Sequence, residues 1–277
     1  NIQYQDQTTG QVKSKPMNNE LLYQLSKGDI DLDTFIARQT ENVSWISDDS
    51  PFFYQMKKKA PQEIMVVLTT AIILVVLLAA FFRHSSAGKK QDSSRYFILF
   101  GIIGSAFMMI EIAMIQKFIL FLGHETLALA YLLSLILLST GLGSYISGRL
   151  GRSKIRLNVY IVLIIFFIGI AYFASSPMQI TFESSPILIK TLFSLLLLFP
   201  VFFLMGFLFP TFLTQIKAQQ QGEQFVPWMI GINSLATLLG GCLAIVIAML
   251  WGYSHVFVTG IILYASILLL MLRWDVR

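Results

Sequence analysis

Long apolar runs alternate with short polar stretches over most of this chain. From about residue 64 onward, the runs approach the ~20 apolar residues that a helix needs to cross the hydrocarbon core of a bilayer, and polar or turn-forming residues bound each run. The pattern therefore predicts an all-α fold, a polytopic bundle of about seven transmembrane helices. The spans are expected near Ile64–Phe82, Tyr96–Lys117, Leu127–Ile146, Leu157–Ala174, Ile187–Phe209, Val226–Met249 and Val256–Leu272. A loop with few charges is expected from Ser175 to Pro186, between the fourth and fifth spans.

The composition indicates the same class of protein. Hydrophobic residues make up 56% of the chain and charged residues 13%, whereas soluble proteins average roughly a quarter charged residues. The single cysteine, Cys242, has no partner within the chain, so we expect no intrachain disulfide. The net charge of +5 comes mostly from loops beside the apolar runs and does not imply nucleic acid as a partner. We therefore expect an integral membrane protein that contacts the lipid bilayer.

Residues 1–63 are polar and differ from everything after them. Two short helices are predicted there, Met17–Ser26 and Asp31–Thr40, the second of them capped by an aspartate. So few apolar positions do not form a core alone. Because the chain also opens at Asn1 without an initiating methionine, we interpret residues 1–63 as the C-terminal tail of an upstream soluble domain, and residues 64–277 as the transmembrane helical domain of a longer protein.

The distribution of lysine and arginine predicts an orientation. By the positive-inside rule, the richer side lies in the cytoplasm and the N-terminal segment lies outside, although the lysine triplet beside the first span favours the opposite orientation. The poorer side carries Lys57, Lys58, Lys59, Lys117 and Lys190. The richer side carries Arg83, Lys89, Lys90, Arg95, Arg149, Arg152, Lys154, Arg156, Lys217, Arg273 and Arg277.

An acid, Glu111, lies inside the second apolar run. A carboxylate in the bilayer costs on the order of 2.5 to 3.5 kcal/mol, so an acid at this depth is a candidate for a functional site. Gly104, Met108 and Glu111 share one helix face, and a glycine there allows a neighbouring helix to approach, which suggests that Glu111 faces protein. Two interpretations stay open: a substrate-binding carboxylate, or a carboxyl that pairs with a cation or is protonated near the interface.

Further polar groups follow at the end of this run. Gln116 and Lys117 precede the short apolar stretch Phe118–Leu122, which either extends the second helix or forms an interfacial turn. His124 lies in the polar break that comes next. We take Gln116 and His124 as substrate-binding candidates, and the alternative for His124 is an ordinary surface position in a loop.

Asn233 is the polar residue of the sixth span. It shares a polar and small-residue face with Thr237, Gly240, Gly241 and Ala244. An asparagine at this depth needs a hydrogen-bond partner, so we expect it to point into the bundle. It either holds helices together or lines a cavity.

Two other spans carry residues that affect helix packing. Gly141, Gly143, Ser144 and Gly148 indicate a close packing surface on the third span. Pro200 predicts a bend in the fifth span because proline removes a backbone donor.

An acidic turn, Asp48 and Asp49, precedes Pro51 and an aromatic cluster ahead of the first span. The turn either anchors a domain edge at the membrane interface, where aromatic residues are enriched, or contributes to a ligand site. The sequence contains no metal-ligand spacing, no nucleophile elbow and no glycine-rich nucleotide loop. No metal is therefore predicted, and the catalytic residues, if any, are unknown.

A series of spaced motifs runs through the spans. They are, in order, Gly104, Glu111-Ile112, Gln116–His124, Gly141–Ser144, Ser147–Arg149, Gly206, Phe209-Pro210, Val226–Trp228, Gly231, Asn233 and Gly240. In this order they resemble the membrane region of large bacterial spermidine-synthase-like membrane proteins, over about residues 45–250. Ser47–Tyr54 is also similar to the segment that closes the soluble aminopropyltransferase-like domain of that family, although Ser50 replaces the arginine that usually precedes the proline.

The resemblance implies a multi-pass protein of the bacterial inner membrane. Residues 64–277 would then anchor or feed a Rossmann-like aminopropyltransferase or methyltransferase domain that is absent from this chain. In that family the absent domain binds S-adenosylmethionine or its decarboxylated form, so no cofactor is expected among these residues. The partners implied are the lipid bilayer, the upstream soluble domain and a small cationic or amphipathic ligand.

A second function stays open beside this one. The chain is alternatively a transporter or permease-like module for a cationic or amphipathic small molecule, in which the kinked fifth span and the glycine-rich faces of the third and sixth spans allow rocking. The sequence shows no clear internal repeat, which counts against transport.

Overall fold

The computed structural model divides into two compact units, one of residues 1–46 and 52–59 and one of residues 47–51 and 60–277. The ranges whose structure is described are 2–5, 12–15, 19–38, 49, 61–85, 91–123, 125–150, 157–182, 184–217 and 222–274.

The first unit contains a hairpin and two short helices. Strands β1 (Ile2–Gln5) and β2 (Val12–Lys15) pair antiparallel with Ile2 opposite Lys15. This hairpin was not predicted, because its strands are only four residues long and lie in a polar stretch. Helices α1 (Asn19–Lys27) and α2 (Leu32–Arg38) follow and confirm the two predicted helices.

An aspartate caps α2, as the sequence predicted. The carboxylate of Asp31 accepts a hydrogen bond from the backbone N–H of Thr34 at 3.1 Å, and its carbonyl accepts one from Phe35 at 3.0 Å. Two hydrogen bonds from Thr34 lower the pKa of Asp31 below its usual value. The one from the side chain has the larger effect and the one from the backbone the smaller. The charged form of Asp31 is therefore the form that caps the helix.

The second unit is a bundle of seven helices that are long and apolar enough to cross a membrane, which confirms the all-α transmembrane prediction. A 3₁₀ turn, Gly222–Phe225, precedes the sixth of them. The helices are α3 (Gln62–His84), α4 (Gln91–Leu122), α5 (Glu125–Leu150), α6 (Leu157–Thr181), α7 (Ile187–Lys217), α8 (Val226–Trp251) and α9 (Tyr253–Trp274).

Some helix ends differ from the predicted ends. The stretch Phe118–Leu122 extends α4, which stops at Gly123, a residue in the left-handed region with φ 78°. The loop predicted from Ser175 is wrong, because α6 continues through Pro177 to Thr181. Helix α7 likewise continues through Pro210, beyond the predicted end at Phe209, to Lys217. In lipid an unbroken helix is the simplest way to satisfy the backbone, so proline does not end these spans.

Helix α4 is the centre of the bundle. It packs against α5, α6, α7, α8 and α9, whereas α3 packs against α8 at the edge. Phe100, Ile110 and Met114 of α4 are fully buried, while Val76 and Phe81 of α3 are 59% and 69% exposed. The exposed apolar side chains of α3 suit a lipid-facing helix.

Glycines bring α4 and α8 into close contact. A Cβ atom placed on Gly104 would overlap the backbone oxygen of Asn233 and lie 2.9 Å from Oγ1 of Thr237. One placed on Gly240 would lie 2.6 Å from Cα of Ser105. Helices α4 and α8 run parallel, because residues further along α4 contact residues further along α8. The predicted approach of a neighbouring helix to Gly104 is confirmed.

Glycines also bring α5 and α7 into close contact, with the same layout. A Cβ atom placed on Gly206 would overlap the backbone oxygen of Thr140, and one placed on Gly143 would lie 3.2 Å from the backbone nitrogen of Phe207. Thr140 and Gly143 have the Thr-x-x-Gly spacing that α8 presents to α4. The predicted packing surface of the third span is therefore confirmed at Gly143, but Gly141 and Gly148 have open space around them.

The packing relates α4–α6 to α7–α9 as an inverted repeat. The contact of α4 with α8 corresponds to that of α7 with α5, the contact of α4 with α9 to that of α7 with α6, and the contact of α4 with α5 to that of α7 with α8. Corresponding helices run in opposite directions, since successive spans alternate. The match is partial. In the described ranges, α8 packs against α9 without a comparable contact between α5 and α6, and α4 packs against α6 without a comparable contact between α7 and α9.

This symmetry groups six helices into two bodies. We call α4, α8 and α9 the first helix triplet, and α7, α5 and α6 the second helix triplet. The glycine contacts of α4 with α8 and of α5 with α7 lie within a triplet. The contacts between α4 and α7 include aromatic pairs, with ring centroids 5.2 Å apart for Phe100 and Phe209 and 6.3 Å apart for Phe107 and Phe202.

Candidate functional site

Glu111 lies on a face of α4 that is directed toward the second half of the repeat. It is seven residues beyond Gly104, which contacts α8, and four beyond Phe107, which packs on Phe202 of α7. By helical spacing, Glu111 therefore lies on the strip of α4 between α7 and α8. Its side chain is half-buried and forms no hydrogen bond or ion pair with any residue in the described ranges. A carboxylate in this position is able to bind a cationic group.

Asn233 lies beside Gly104, about 10 Å along the helix axis from the level of Glu111. Its Oδ1 is buried, sits 3.0 Å from the Cβ position of Gly104 and accepts no hydrogen bond from the described part of the chain. Thr237 donates its hydroxyl to the backbone oxygen of Asn233 at 2.8 Å. Asn233 points into the bundle as predicted, but the predicted hydrogen-bond partner is not found. An unpaired buried acceptor is costly, so this oxygen is available to a donor ligand.

The other predicted candidates are Gln116, His124 and Asp48. Gln116 is half-buried and makes no hydrogen bond within the described ranges. His124 and Asp48 lie outside the described residues. Within the described ranges, no hydrogen bond therefore joins Glu111, Gln116 and Asn233.

Asp49 caps the first turn of α9. Its Oδ1 accepts hydrogen bonds from the backbone N–H and the hydroxyl of Ser254, both at 2.7 Å, and its carbonyl accepts one from the backbone of Tyr253 at 2.8 Å. Gly252, with φ 88°, brings its Cα against the carboxylate, and any side chain there would overlap Asp49. A carboxylate at a helix N-terminus satisfies free N–H groups and interacts well with the helix dipole.

Three more side chains surround this cap. The hydroxyl of Tyr172 on α6 donates to Oγ of Ser254 at 3.0 Å. The ammonium of Lys117 lies 4.1 Å from the ring centroid of Tyr172 and 5.7 Å from that of Phe257. The negative charge of Asp49 attracts this ammonium. We call Asp49, Lys117, Tyr172, Ser254 and Phe257 the Asp49 cluster.

The sequence singled out only part of this cluster. Asp49 and Lys117 were noticed, but Tyr172 and Ser254 were missed because a single hydroxyl in or beside an apolar run has no distinctive pattern. The break at Gly252 was the available signal, since it places Ser254 in the first turn of a helix. An N-terminal turn needs acceptors, and an acidic residue elsewhere in the chain supplies one.

No group of three or more His, Cys, Asp or Glu side chains that could hold a metal ion occurs within the described ranges. Comparisons of the chain with protein-family models, with curated proteins and with solved structures found no match.

Proposed function

We propose that helices α4–α9 form a transporter-like module that moves a cationic or amphipathic small molecule by alternating access. The observation that supports this proposal is the inverted repeat of α4–α6 and α7–α9. Inverted repeats are common in secondary transporters, where the two halves exchange conformations and expose a central site to each side in turn.

The contacts between and within the triplets suit such a motion. Within each triplet, glycines place backbone against backbone, so the helices of a pair do not slide without strain. Between the triplets, phenylalanine rings meet edge to face, as Phe100 does with Phe209. Ring contacts of this type have several arrangements of similar energy. The triplets are therefore suited to move as bodies.

Glu111 gives this module its preference for cations. Its carboxyl faces the region between α4, α7 and α8 and has no partner in the described chain. Replacing a carboxylate by an amide keeps the size of the side chain and removes its charge. A module that carries a cation through this region should depend on that charge.

Uptake into liposomes tests the proposal. Protein reconstituted from detergent should take up radiolabelled spermidine faster than protein-free vesicles, and Glu111→Gln should lower the uptake rate by about tenfold or more, the effect of roughly 1.4 kcal/mol. Glu125→Gln is the matched control, because Glu125 is an exposed glutamate in the first turn of α5. Equal uptake by the Glu111 and Glu125 variants would contradict the role of Glu111, and no uptake above empty vesicles would contradict spermidine transport.

A second candidate function comes from the resemblance to spermidine-synthase-like membrane proteins. In this proposal the helical domain anchors or feeds a soluble domain that uses S-adenosylmethionine or its decarboxylated form, in the bacterial inner membrane. The supporting observation is the cap formed by Asp49, which ties a residue ahead of the first span to the first turn of α9. A tie of this kind would hold a preceding domain close to the membrane.

Binding assays on the full-length parent protein in detergent distinguish the two functions. Radiolabelled S-adenosylmethionine, its decarboxylated form and spermidine are each tested, with Glu111→Gln alongside. Cofactor binding together with loss of spermidine binding in the variant would support a domain that handles substrate for an aminopropyltransferase. Spermidine binding without any cofactor binding would leave transport as the function.

A further inference from the structure

We propose that the Asp49 cluster is a polar latch that closes one end of the contact between the two helix triplets, and that Asp49 sets whether the latch holds. This inference rests on the proposed alternating-access function and adds the element that controls it. The latch joins Tyr172 of the second triplet to Ser254 of the first.

The bond between Tyr172 and Ser254 differs from three other bonds between helices of the bundle, which lie within a triplet. Ser105 bonds to Ala236 within the first triplet. Tyr131 bonds to Thr191, and Ser147 bonds to Thr211, within the second triplet. The bond between Tyr172 and Ser254 instead crosses from one triplet to the other. Movement of the triplets at this end of the bundle must therefore break it.

Tyr172 makes two further contacts across the same boundary, besides its contacts within α6. Its ring lies 4.9 Å, centroid to centroid, from that of Phe257, and the ammonium of Lys117 lies over its face. Phe257 belongs to α9 and Lys117 to α4, both in the first triplet. One side chain of the second triplet is thus held by a hydroxyl, a ring and a cation of the first.

Asp49 orients the hydroxyl on which the latch depends. Ser254 donates its hydroxyl proton to Asp49, which leaves the lone pairs of its oxygen to accept from Tyr172. Without Asp49, the hydroxyl of Ser254 has no fixed orientation, so its oxygen presents its lone pairs to Tyr172 only part of the time. Loss of the Asp49 carboxylate should therefore weaken the latch.

Distances between spin labels test the latch. Labels are attached to Ile180→Cys on α6 and Trp251→Cys on α8, two residues that are 80% and 60% exposed, in a Cys242→Ala background. Tyr172→Phe and Ser254→Ala should each raise the fraction of molecules with a longer distance between the labels. The ratio of the longer-distance to the shorter-distance population should increase about 2- to 10-fold over the parent, which is the effect of one lost hydrogen bond. Asp49→Ala should add the same population.

Matched variants control for unrelated effects. Tyr160→Phe removes a hydroxyl from a tyrosine of α6 that stacks on Phe207 inside the second triplet, and Ser266→Ala removes one that bonds within α9. Both should keep the distances of the parent. Ser254→Ala retains the backbone bond to Asp49, so α9 stays capped in that variant.

The outcomes separate the latch from the transport proposal. Unchanged distances in both Tyr172→Phe and Ser254→Ala would overturn the latch, whatever the uptake assay shows. A longer-distance population confined to the latch variants supports the latch even where liposomes take up no spermidine, and in that case only the transport proposal is lost.

Discussion

Gly104 of α4 lies against Asn233 of α8 so closely that a Cβ atom on the glycine would overlap the backbone oxygen of the asparagine. The atom in the way belongs to the backbone of a helix and does not rotate aside as a side chain would. The close approach of α4 and α8, on which the first helix triplet depends, therefore requires glycine at this position.

Substitution of Gly104 should destabilise the bundle. Gly104→Ala forces the two helices apart, and overpacking of this kind typically costs about 1 to 3 kcal/mol. We expect a lower free energy of unfolding in detergent, measured by circular dichroism during denaturation. Gly169→Ala is the control, because no heavy atom lies within 4 Å of a Cβ placed on Gly169. A loss of stability as large at Gly169 as at Gly104 would refute the packing argument.

Asn233→Leu tests whether the buried amide oxygen of Asn233 serves helix packing or ligand binding. Removing a buried acceptor without a partner is expected to leave stability unchanged or to raise it slightly, since the leucine has a similar shape and no polar atom to satisfy. If Asn233 lines the path of the ligand, spermidine uptake should nevertheless fall about tenfold. A variant that is destabilised by more than about 2 kcal/mol and keeps its uptake would show that Asn233 only holds helices together.

Asp49→Ala should destabilise the N-terminus of α9. Loss of a capping side chain typically costs about 1 kcal/mol, and here both the backbone and the hydroxyl of Ser254 lose their acceptor. The free energy of unfolding and hydrogen exchange at Tyr253 and Ser254 are the measurements. Asp49→Asn keeps an acceptor oxygen, so it should retain most of the cap. Equal protection of α9 in all three proteins would rule out the cap.

Thr34→Ala should change the titration of Asp31. The hydroxyl and backbone of Thr34 lower the pKa of Asp31, so the stabilisation of α2 is complete above the pKa of the unfolded chain and is lost as the pH falls through the lower pKa of the folded state. Removing the hydroxyl should raise this pKa part of the way back, while Thr34→Ser should not. A carboxyl-detected NMR titration measures it, and identical titration of Asp31 in the alanine and serine variants would contradict the assignment.

The sequence predicted the spans well because a long apolar run is a local property of the chain. It also predicted the packing role of Gly104 and Gly143, since small residues on one face of a span favour close helix contacts. It failed at Pro177, where a loop was expected, because proline often ends helices in water but is tolerated inside an apolar span.

The functional groups were harder to predict than the spans. Glu111 was identified because an acid in an apolar run is costly wherever the helix lies. Tyr172 and Ser254 were missed, since their significance arises only when α6 packs on α9 and brings Asp49 to the same place. The inverted repeat was missed for a similar reason. Its trace in the sequence is a Thr-x-x-Gly spacing too short to stand out, whereas the order of helix contacts makes it visible.

A single residue, Gly252, joins α8 to α9. Because nothing else separates Trp251 from Tyr253, the two helices have no slack at this joint. A tilt at the end of α8 must therefore also tilt the start of α9. A movement of α8 along its contact with α4 would in this way shift Ser254, the residue to which Tyr172 bonds.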